Sequence, residues 1–471
     1  MKLIKRNLRL IVAVVSLMFA ALVGYGAYSL GVFGNRWFSS AANTYLRTAK
    51  RDVVPGRVYD REGRLLAGTD SEGKRTYPTD DMTRAALVHL LGDPGNNVAY
   101  GVDTFMANHL YAFSDSYFSR LSAALTGQRR RGYDLRLSVD SELTRRIAER
   151  FPAGKAGAAV VMNYRTGELL ALASFPGFDP LKPAPGIEDD PRQPYWNRAT
   201  RWLSAPGSTF KVLTLAAALQ HIPGAMSKTY TCTGGFQVDD VVVTDAGMAA
   251  HGELDLRRAL AVSCNITFAK LALELGDEKL RQTSQAFGLD DYLLFSDLVV
   301  ENSSYPKANR VNKELAWTGA GQSALAVTPL HMCLSAAAVA NGGVMMEPKL
   351  LLQAVDGSRE GRAQMQPAVY RTPLSPEDAK TIGLAMRQAV TGGTATRAAV
   401  PGLKVSGKTG SAQVDGQEDT NAWFIGFLDE TELPYAVCVV VDDAGEGGRV
   451  AAPIAGMIFG YLRENAGKQA P

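Results

Sequence analysis

The longest apolar run in the chain lies close to its N-terminus. Residues 10–33 contain no charged side chain, and a run of this length exceeds the roughly 20 residues that cross a bilayer as a helix. Lysine or arginine occupies positions 2, 5, 6 and 9, which favours a cytoplasmic N-terminus with the rest of the chain outside. A cleaved signal peptide is the alternative, because Gly24, Gly26 and Ala27 are small enough for a cleavage site, but the length of the run favours an uncleaved anchor.

Beyond this run the hydrophobic pattern alternates between strand and helix periods. Residues 55–69 predict two short strands with a turn at Glu62–Gly63, and residues 134–151 predict a strand that leads into an amphipathic helix. Residues 156–176 predict a hairpin of two apolar strands with a turn at Arg165–Gly167.

The second half of the chain predicts helices first and strands afterwards. Helices are expected to begin near Ser208, Leu256, Pro329 and Pro376. Three strands are then expected at residues 404–413, 422–429 and 434–443, followed by a closing helix at 450–465. Strands at both ends of a helical middle indicate an α+β domain, whose sheet brings distant segments together.

Composition and charge exclude several classes of protein. Apolar residues make up 46% of the 471 positions and charged residues 21%, which argues against disorder. The net charge of +3 gives no indication of nucleic-acid binding. The cysteines at 232, 264, 333 and 438 have no metal-ligand spacing, and histidines are few, so no metal site is expected; a disulfide is permitted but not indicated.

Ser208 and Lys211 are the first candidates for chemistry. Pro206 and Gly207 break the chain before Ser208, so the serine is expected at a helix N-terminus with Lys211 one turn further on the same face. The positive helix end would stabilise charge near the serine, and a buried lysine can lose its proton and act as a base. The alternative is an ordinary helix cap with a solvated lysine, and Ser-x-x-Lys occurs twice more in the chain.

Two further motifs occur once each. Ser263-Cys264-Asn265 lies between apolar residues, where unpaired polar groups cost about 1–3 kcal/mol each; a helix cap or a satisfied core pair is the alternative. Lys408-Thr409-Gly410 lies in a strand-like run with glycines at 407 and 410, which leave room for a ligand backbone. A charged residue that protects an edge strand is the alternative for Lys408.

The order and spacing of these three motifs resemble the signature of penicillin-recognising serine enzymes. The segments around them, together with "HGELDLRRALAVSCNITF", "GAGQSALAVTPLHMCLSAAAVANGGVMMEPKL" and "PGRVYDREGRLLA", are similar to class B penicillin-binding proteins of the compact penicillin-binding protein A type. This resemblance implies a serine transpeptidase/β-lactamase-like α+β fold, with an antiparallel sheet flanked by helices and an all-helical subdomain. It also implies three parts: a tail and anchor at 1–35, a non-catalytic dimerisation or pedestal-like module at 36–135, and a transpeptidase domain at 136–471.

The resemblance also implies roles for single residues. Ser208 would be the nucleophile, Lys211 its base, and Ser263 with Lys408 a proton relay, while Asn265 would bind an amide of the donor peptide. Backbone N–H groups of Ser208 and Ser411 would form the oxyanion hole. The residues expected to bind the terminal carboxylate are Thr409, Gly410 and Ser411, and neither cofactor nor metal is expected.

The implied function is that of a membrane-anchored peptidoglycan D,D-transpeptidase that crosslinks stem peptides and is acylated by β-lactams. The implied partners are stem peptides on lipid-linked precursors or nascent glycan strands, β-lactams, the membrane and a polytopic glycosyltransferase, and no nucleic acid. A D,D-carboxypeptidase, a β-lactamase-like hydrolase and a non-catalytic scaffold are the alternatives. No glutamate between Ser263 and Lys408 has an asparagine four positions later, as class A β-lactamases require, and class D enzymes carry an aliphatic residue where Asn265 stands.

Overall fold

A computed structural model describes residues 2–38, 48, 50, 53–70, 74–113, 125, 129–307, 311–356, 361–414 and 416–466. Its helices are α1 (Lys2–Phe38), α2 (Asp81–Leu91), α3 (Val102–Phe105), α4 (Ala107–Leu110), α5 (Ser141–Arg150), α6 (Arg198–Arg201), α7 (Lys211–His221), α8 (Leu256–Val262), α9 (Asn265–Ala286), α10 (Asn312–Ala320), α11 (Pro329–Ala340), α12 (Pro376–Gly392) and α13 (Ala451–Glu464).

The strands are numbered β1 to β19 along the chain. The first strands are β1 (Val53–Val54), β2 (Val58–Tyr59), β3 (Leu65–Thr69), β4 (Arg75–Thr76), β5 (Arg130–Arg131), β6 (Asp134–Leu137), β7 (Gly157–Asn163) and β8 (Leu169–Phe175). The others are β9 (Thr229–Cys232), β10 (Gly235–Val238), β11 (Val241–Thr244), β12 (Gly252–Asp255), β13 (Met345–Met346), β14 (Leu351–Val355), β15 (Gly361–Gln364), β16 (Val369–Arg371), β17 (Val405–Ala412), β18 (Asn421–Leu428) and β19 (Tyr435–Val441).

The N-terminal apolar run forms part of one long helix. Within α1, residues Ile4–Gly34 are long and apolar enough to cross a membrane, and an 18-residue window of that stretch has a mean hydropathy of 2.3 and no buried residue. The exposed apolar surface of such a helix is unfavourable in water, so α1 fits a single-pass membrane anchor.

The central sheet has five antiparallel strands in the order β17-β18-β19-β7-β8. Strands from residues 157–175 therefore join strands from 405–441, as the sequence pattern predicted. Both faces of the sheet are covered, which explains why β7, β8, β18 and β19 are apolar along almost their whole length rather than at alternate positions. Alternate side chains of β19 enter two different cores: Ala436, Cys438 and Val440 on one side, and Val437, Val439 and Val441 on the other.

Helices cover the two faces of this sheet. The helix α11 packs against β7, β18 and β19, and its side chains join the first core. On the opposite face α13 packs against β18 and β19 and contacts α5, within the second core. Because β17 pairs only with β18 in the sheet order, its other edge is free to contact the turn at residues Gly207–Phe210.

A second sheet mixes early and late parts of the chain. Its strand order is β15-β14-β6-β2-β3-β4. The strand β14 therefore pairs with β6 beside the N-terminal strands, and β15 pairs with the other edge of β14. The boundary expected at 135–136 therefore falls within β6. No boundary between separate sheets lies there, because β2 lies parallel to one edge of β6 and β14 pairs with the opposite edge.

The helix expected from Ser208 begins differently from the prediction. Residues Gly207–Phe210 form a 3₁₀ turn, and the α-helix begins at Lys211. The helices predicted near Leu256, Pro329 and Pro376 begin at those residues. Ser208 is therefore held on a tight turn in front of the helix, rather than as its cap.

Candidate active site

The turn that carries Ser208 lies against the free edge of β17. Gly207 has a φ of +55°, and a Cβ added there would lie 3.1 Å from the carbonyl carbon of Ser411. A Cβ added at Gly321, which has a φ of +95°, would lie 1.8 Å from Gly207 O. These two glycines allow the serine turn to lie between β17 and the loop after α10, so that Ser208 faces the cleft between them.

Lys211 is fully buried at the start of α7, three residues after Ser208. Its Nζ donates to Ser263 O at 2.6 Å and to Asn265 Oδ1 at 2.7 Å, and it lies 3.4 Å from Ser263 Oγ. Burial lowers the pKa of Lys211 to about 8. A lysine held in this way is partly neutral near physiological pH and can accept a proton.

Lys408 approaches the same hydroxyl from the opposite side. Its Nζ donates to Ser263 Oγ at 2.8 Å and to Thr409 O at 2.7 Å. Burial, reinforced by the neighbouring charge of Lys211, lowers the pKa of Lys408 well below its ordinary value. The Ser263 hydroxyl thus lies between two amines, and each amine disfavours a charge on the other.

Backbone geometry places the Ser263 hydroxyl between the two amines. Ser263 ends α8 with a left-handed φ of +64°, a conformation that costs a non-glycine residue about 1–3 kcal/mol. Its N–H donates to Leu260 O at 3.2 Å, and Cys264 N donates to Ala259 O at 3.0 Å. Cys264 then caps α9, since its Sγ accepts from Thr267 N at 3.3 Å. Two helix ends therefore hold the strained serine in place.

Asn265 is already engaged within the protein. Its Oδ1 accepts from Lys211, its Nδ2 donates to Thr244 O at 2.8 Å, and its backbone N–H donates to Asp245 Oδ1. Its expected contact with an amide of the donor would therefore use the remaining hydrogen-bonding capacity of Oδ1, which has two lone pairs.

The motif on β17 provides the opposite wall. The Thr409 hydroxyl is 2.7 Å from Thr394 Oγ1, and the Ser411 hydroxyl accepts from Gly447 N at 3.3 Å. A Cβ added at Gly410 would lie 2.9 Å from Pro206 O, so this glycine allows the serine turn to approach the strand.

The prediction that Gly407 leaves room for a ligand was wrong. A Cβ added at Gly407 would lie 2.5 Å from the ring of Phe424 on the neighbouring strand. The phenylalanine side chain therefore fills the space, and this glycine serves the packing of the sheet.

All eight residues predicted from the sequence meet at this place. Ser208, Ser263, Asn265 and residues 409–411 line a pocket of about 460 Å³, with Lys211 and Lys408 buried beneath it. The sequence analysis did not find other residues that line the pocket: Asp245, His251, Gln322, Thr394, Arg397, Glu446 and Arg449. The segments that begin at His251 and contain Gln322 were signals for those two residues, but the remaining residues lie in loops and a 3₁₀ turn with no distinctive pattern.

Beside this pocket four ligand-type side chains converge. Cys232 Sγ, Cys264 Sγ and His251 Nδ1 lie 3.0, 3.1 and 3.2 Å from Asp245 Oδ2, and all four ligand atoms lie within 4.8 Å of one another. Both thiols donate to the Asp245 carboxylate here, and burial raises the pKa of Cys264 to about 12. After loss of the thiol protons, two sulfurs, an imidazole and a carboxylate would form a donor set that zinc accepts in tetrahedral geometry. The sequence spacing did not indicate this cluster, because its members come from β9, the loop between β11 and β12, and the start of α9.

Comparisons with known proteins identify the family of the chain. The profile of the family described as penicillin binding protein transpeptidase domain matches residues 157–460. The chain belongs to this family. Peptidoglycan D,D-transpeptidase PbpA of Mycolicibacterium smegmatis is 32% identical over 379 residues, which cover 74% of this chain and 76% of that protein. Stage V sporulation protein D of Bacillus subtilis is 33% identical over 349 residues, which cover 70% of this chain and 53% of that protein.

The fold is also similar to solved structures. The ceftriaxone acyl-enzyme complex of penicillin-binding protein A from M. tuberculosis aligns with a TM-score of 0.78 and 27% identity, over 87% of this chain and 98% of that one. The α+β penicillin-binding transpeptidase fold expected from the sequence is confirmed.

The lowered pKa of Lys211 predicts a pH profile. Because only the neutral amine accepts the proton of Ser208, the rate of acylation by penicillin is expected to increase as the pH rises through about 8 and to level off above it. Stopped-flow acylation of the full-length protein in detergent measures this profile, with circular dichroism at each pH as the folding control. A rate that does not change across this pH range would contradict the assignment of Lys211 as the base.

The cysteine cluster predicts bound metal. We expect the protein, purified without chelator, to contain about one zinc ion per chain, and Cys232→Ser to reduce that content strongly. Removal of the ion is expected to lower the melting temperature, because Cys264 connects the cluster to Ser263. Cys438→Ser, a buried cysteine outside the cluster, is the control and is expected to keep the metal. Equal zinc contents in the two variants, measured by atomic emission, would exclude the cluster as the ligand set.

Proposed function

We propose that this chain is a membrane-anchored peptidoglycan D,D-transpeptidase that crosslinks stem peptides through an acyl-enzyme on Ser208 and is acylated there by β-lactams. The observation that carries the proposal is that two buried lysines, Lys211 and Lys408, contact the Ser263 hydroxyl. This hydroxyl lies beside the pocket that Ser208 lines. Support also comes from a relative named peptidoglycan D,D-transpeptidase and from a similar structure that is a β-lactam acyl-enzyme.

Acylation begins with proton transfer. Neutral Lys211 takes the proton of Ser208, whose Oγ attacks the carbonyl between the two terminal D-alanines of the donor peptide. Backbone N–H groups of Ser208 and Ser411 stabilise the oxyanion, and each such donor is worth about 3–4 kcal/mol. The Ser263 hydroxyl, hydrogen-bonded to Lys408, passes a proton to the departing D-alanine nitrogen.

The donor peptide is held along β17. Thr409 and Ser411 donate their hydroxyl hydrogens to the terminal carboxylate of the donor, and Gly410 lets the serine turn lie close to this strand. Asn265 accepts from a donor amide while its Oδ1 also accepts from Lys211. An amine of a second stem peptide then attacks the acyl-enzyme and forms the crosslink.

The N-terminal helix gives the enzyme its location. The basic residues before the span favour a cytoplasmic N-terminus, which leaves the catalytic domain on the outer face of the membrane. A Cβ added at Gly24, Gly26 or Gly31 would meet nothing within 4 Å, so α1 can approach a neighbouring helix closely. A polytopic glycosyltransferase is the partner that we propose for this helix.

The full-length protein, incubated with a fluorescent penicillin beside a Ser208→Ala variant, tests the nucleophile and the class of enzyme. We expect a label that persists for hours on the wild-type protein and is absent from the variant. A label that clears within seconds would indicate a β-lactamase. A folded wild-type protein without any label would contradict catalysis and favour a scaffold.

A further inference from the structure

The C-terminal end of α1 packs against the transpeptidase domain. Ser29 is 6% exposed, and Val32 and Phe33 are half-buried, whereas residues 4–25 of the same helix are exposed. Positions 29, 32 and 33 have the spacing of one helix face. The ring of Phe33 lies 5.2 Å from the ring of Tyr292 in an edge-to-face arrangement. The domain therefore contacts α1 at the point where the apolar run ends.

The length of the apolar run places this contact at the membrane surface. A span of about 20 residues that starts at Leu10 ends at Ser29. The headgroup layer beyond it is about 5–8 Å thick, and a helix crosses that distance in about four or five residues. Val32 and Phe33 therefore lie among the headgroups, and so do the parts of the domain that contact them.

Aromatic side chains occur at the same depth on the helix and on the domain. In α1, Tyr25, Tyr28 and Trp37 are 68%, 60% and 53% exposed, and the ring of Trp37 stacks on that of Phe33 at 6.1 Å. Tyr292 of the domain is 61% exposed. Tyrosine and tryptophan are enriched at membrane–water interfaces, because one end of each side chain is apolar and the other is polar. Tyr292 thus extends the aromatic belt of the anchor onto the domain.

An apolar cavity lies beside α1 at this level. It has a volume of about 390 Å³, and its lining residues are Gly31, Val32, Phe105, Leu293, Leu294, Phe295, Ser296, Leu298, Val299 and Glu347. The polar members are already paired, since Ser296 N donates to Glu347 Oε1 at 2.8 Å and Lys349 Nζ contacts both side chains at 2.9 Å. Such a cavity offers few partners to water, whereas its lining matches the acyl chains of lipids.

The charges next to Tyr292 are balanced within the protein. Asp290 pairs with Arg281 at 3.6 Å, and Asp291 pairs with Arg371. A surface of this kind is attracted only weakly to anionic headgroups, which bind clusters of lysine and arginine. Its contact with a membrane would therefore depend on the burial of apolar and aromatic side chains.

The active site lies at the opposite end of α7 from this region. At the start of α7, Lys211 contacts Asn265, the first residue of α9. Near the end of α7, Gln220 Oε1 accepts from Thr283 Oγ1 at 2.8 Å, close to the end of α9. The 11 residues of α7 span about 16 Å. The segment that follows α9 and contains Tyr292 is thus separated from the catalytic lysine, and a membrane at Tyr292 leaves the pocket accessible.

We propose that the transpeptidase domain itself contacts the membrane through a lipid-contact surface, which consists of Phe105, residues 292–299 and the end of α1 from residue 29 to 33. Acyl chains of phospholipids occupy the cavity beside α1, and Tyr292 lies among the headgroups. The domain is then held at a fixed height by its anchor and by this surface together. The inference goes beyond the proposed function, because it requires only that α1 spans a membrane.

Depth-dependent quenching in the full-length protein tests this contact. The four native cysteines are buried, so a nitrobenzoxadiazole label attaches to one introduced cysteine: Tyr292→Cys, Leu17→Cys within the span, or Val242→Cys. Val242 is the matched control, since it is 52% exposed and lies on β11, whose Thr244 O accepts from Asn265 at the active site. Each labelled protein is placed in nanodiscs of phosphatidylcholine or phosphatidylglycerol, with a nitroxide lipid labelled near the headgroup or deep in the acyl chain. Circular dichroism checks the fold.

We expect the shallow nitroxide to quench the label at position 292 at least about threefold more strongly than the label at 242, as an interfacial position implies. Quenching should be similar in the two lipids, because the local charges are balanced. Equal quenching at 292 and 242, with strong quenching by the deep nitroxide at 17, would overturn the lipid contact and leave this surface to a protein partner. Absence of quenching at 17 would instead overturn the membrane span that the proposed function includes.

Discussion

The site depends on one serine hydroxyl held between two buried amines. Lys211 and Lys408 come from segments almost two hundred residues apart, and both are 0% exposed. Two ammonium groups cannot both remain charged at this separation in a dry interior, so burial itself creates the proton acceptor. Ser263 in turn is held in a left-handed conformation by the ends of α8 and α9, which places its hydroxyl between the two amines.

Close backbone approach is the second requirement. The serine turn lies between the free edge of β17 and the loop after α10, and this is possible only because Gly207, Gly321 and Gly410 carry no side chain. Strand β17 can present its edge because it is the outermost strand of the five-stranded sheet. The sheet is therefore more than a scaffold, since its unpaired edge forms a wall of the pocket.

Charged side chains of both signs surround the pocket. Arg397 and Arg449 line the part that contains Ser208 together with the carboxylates of Asp245 and Glu446. The cysteine cluster around Asp245 connects Cys264 to the strand and loop on the far side of Asn265.

The sequence by itself determined the elements and most of the chemistry. Continuous apolar runs predicted β7, β8, β18 and β19, and a strand-like run around Lys408 predicted β17. The order of three short motifs indicated Ser208, Ser263 and Lys408. These features can be read directly from the sequence. Tertiary structure alone decided the rest. Three features depend on contacts between distant segments, which no local pattern of residues encodes. They are the 3₁₀ turn before Lys211, the pairing of β14 with β6, and the convergence of Cys232 with Asp245 and His251.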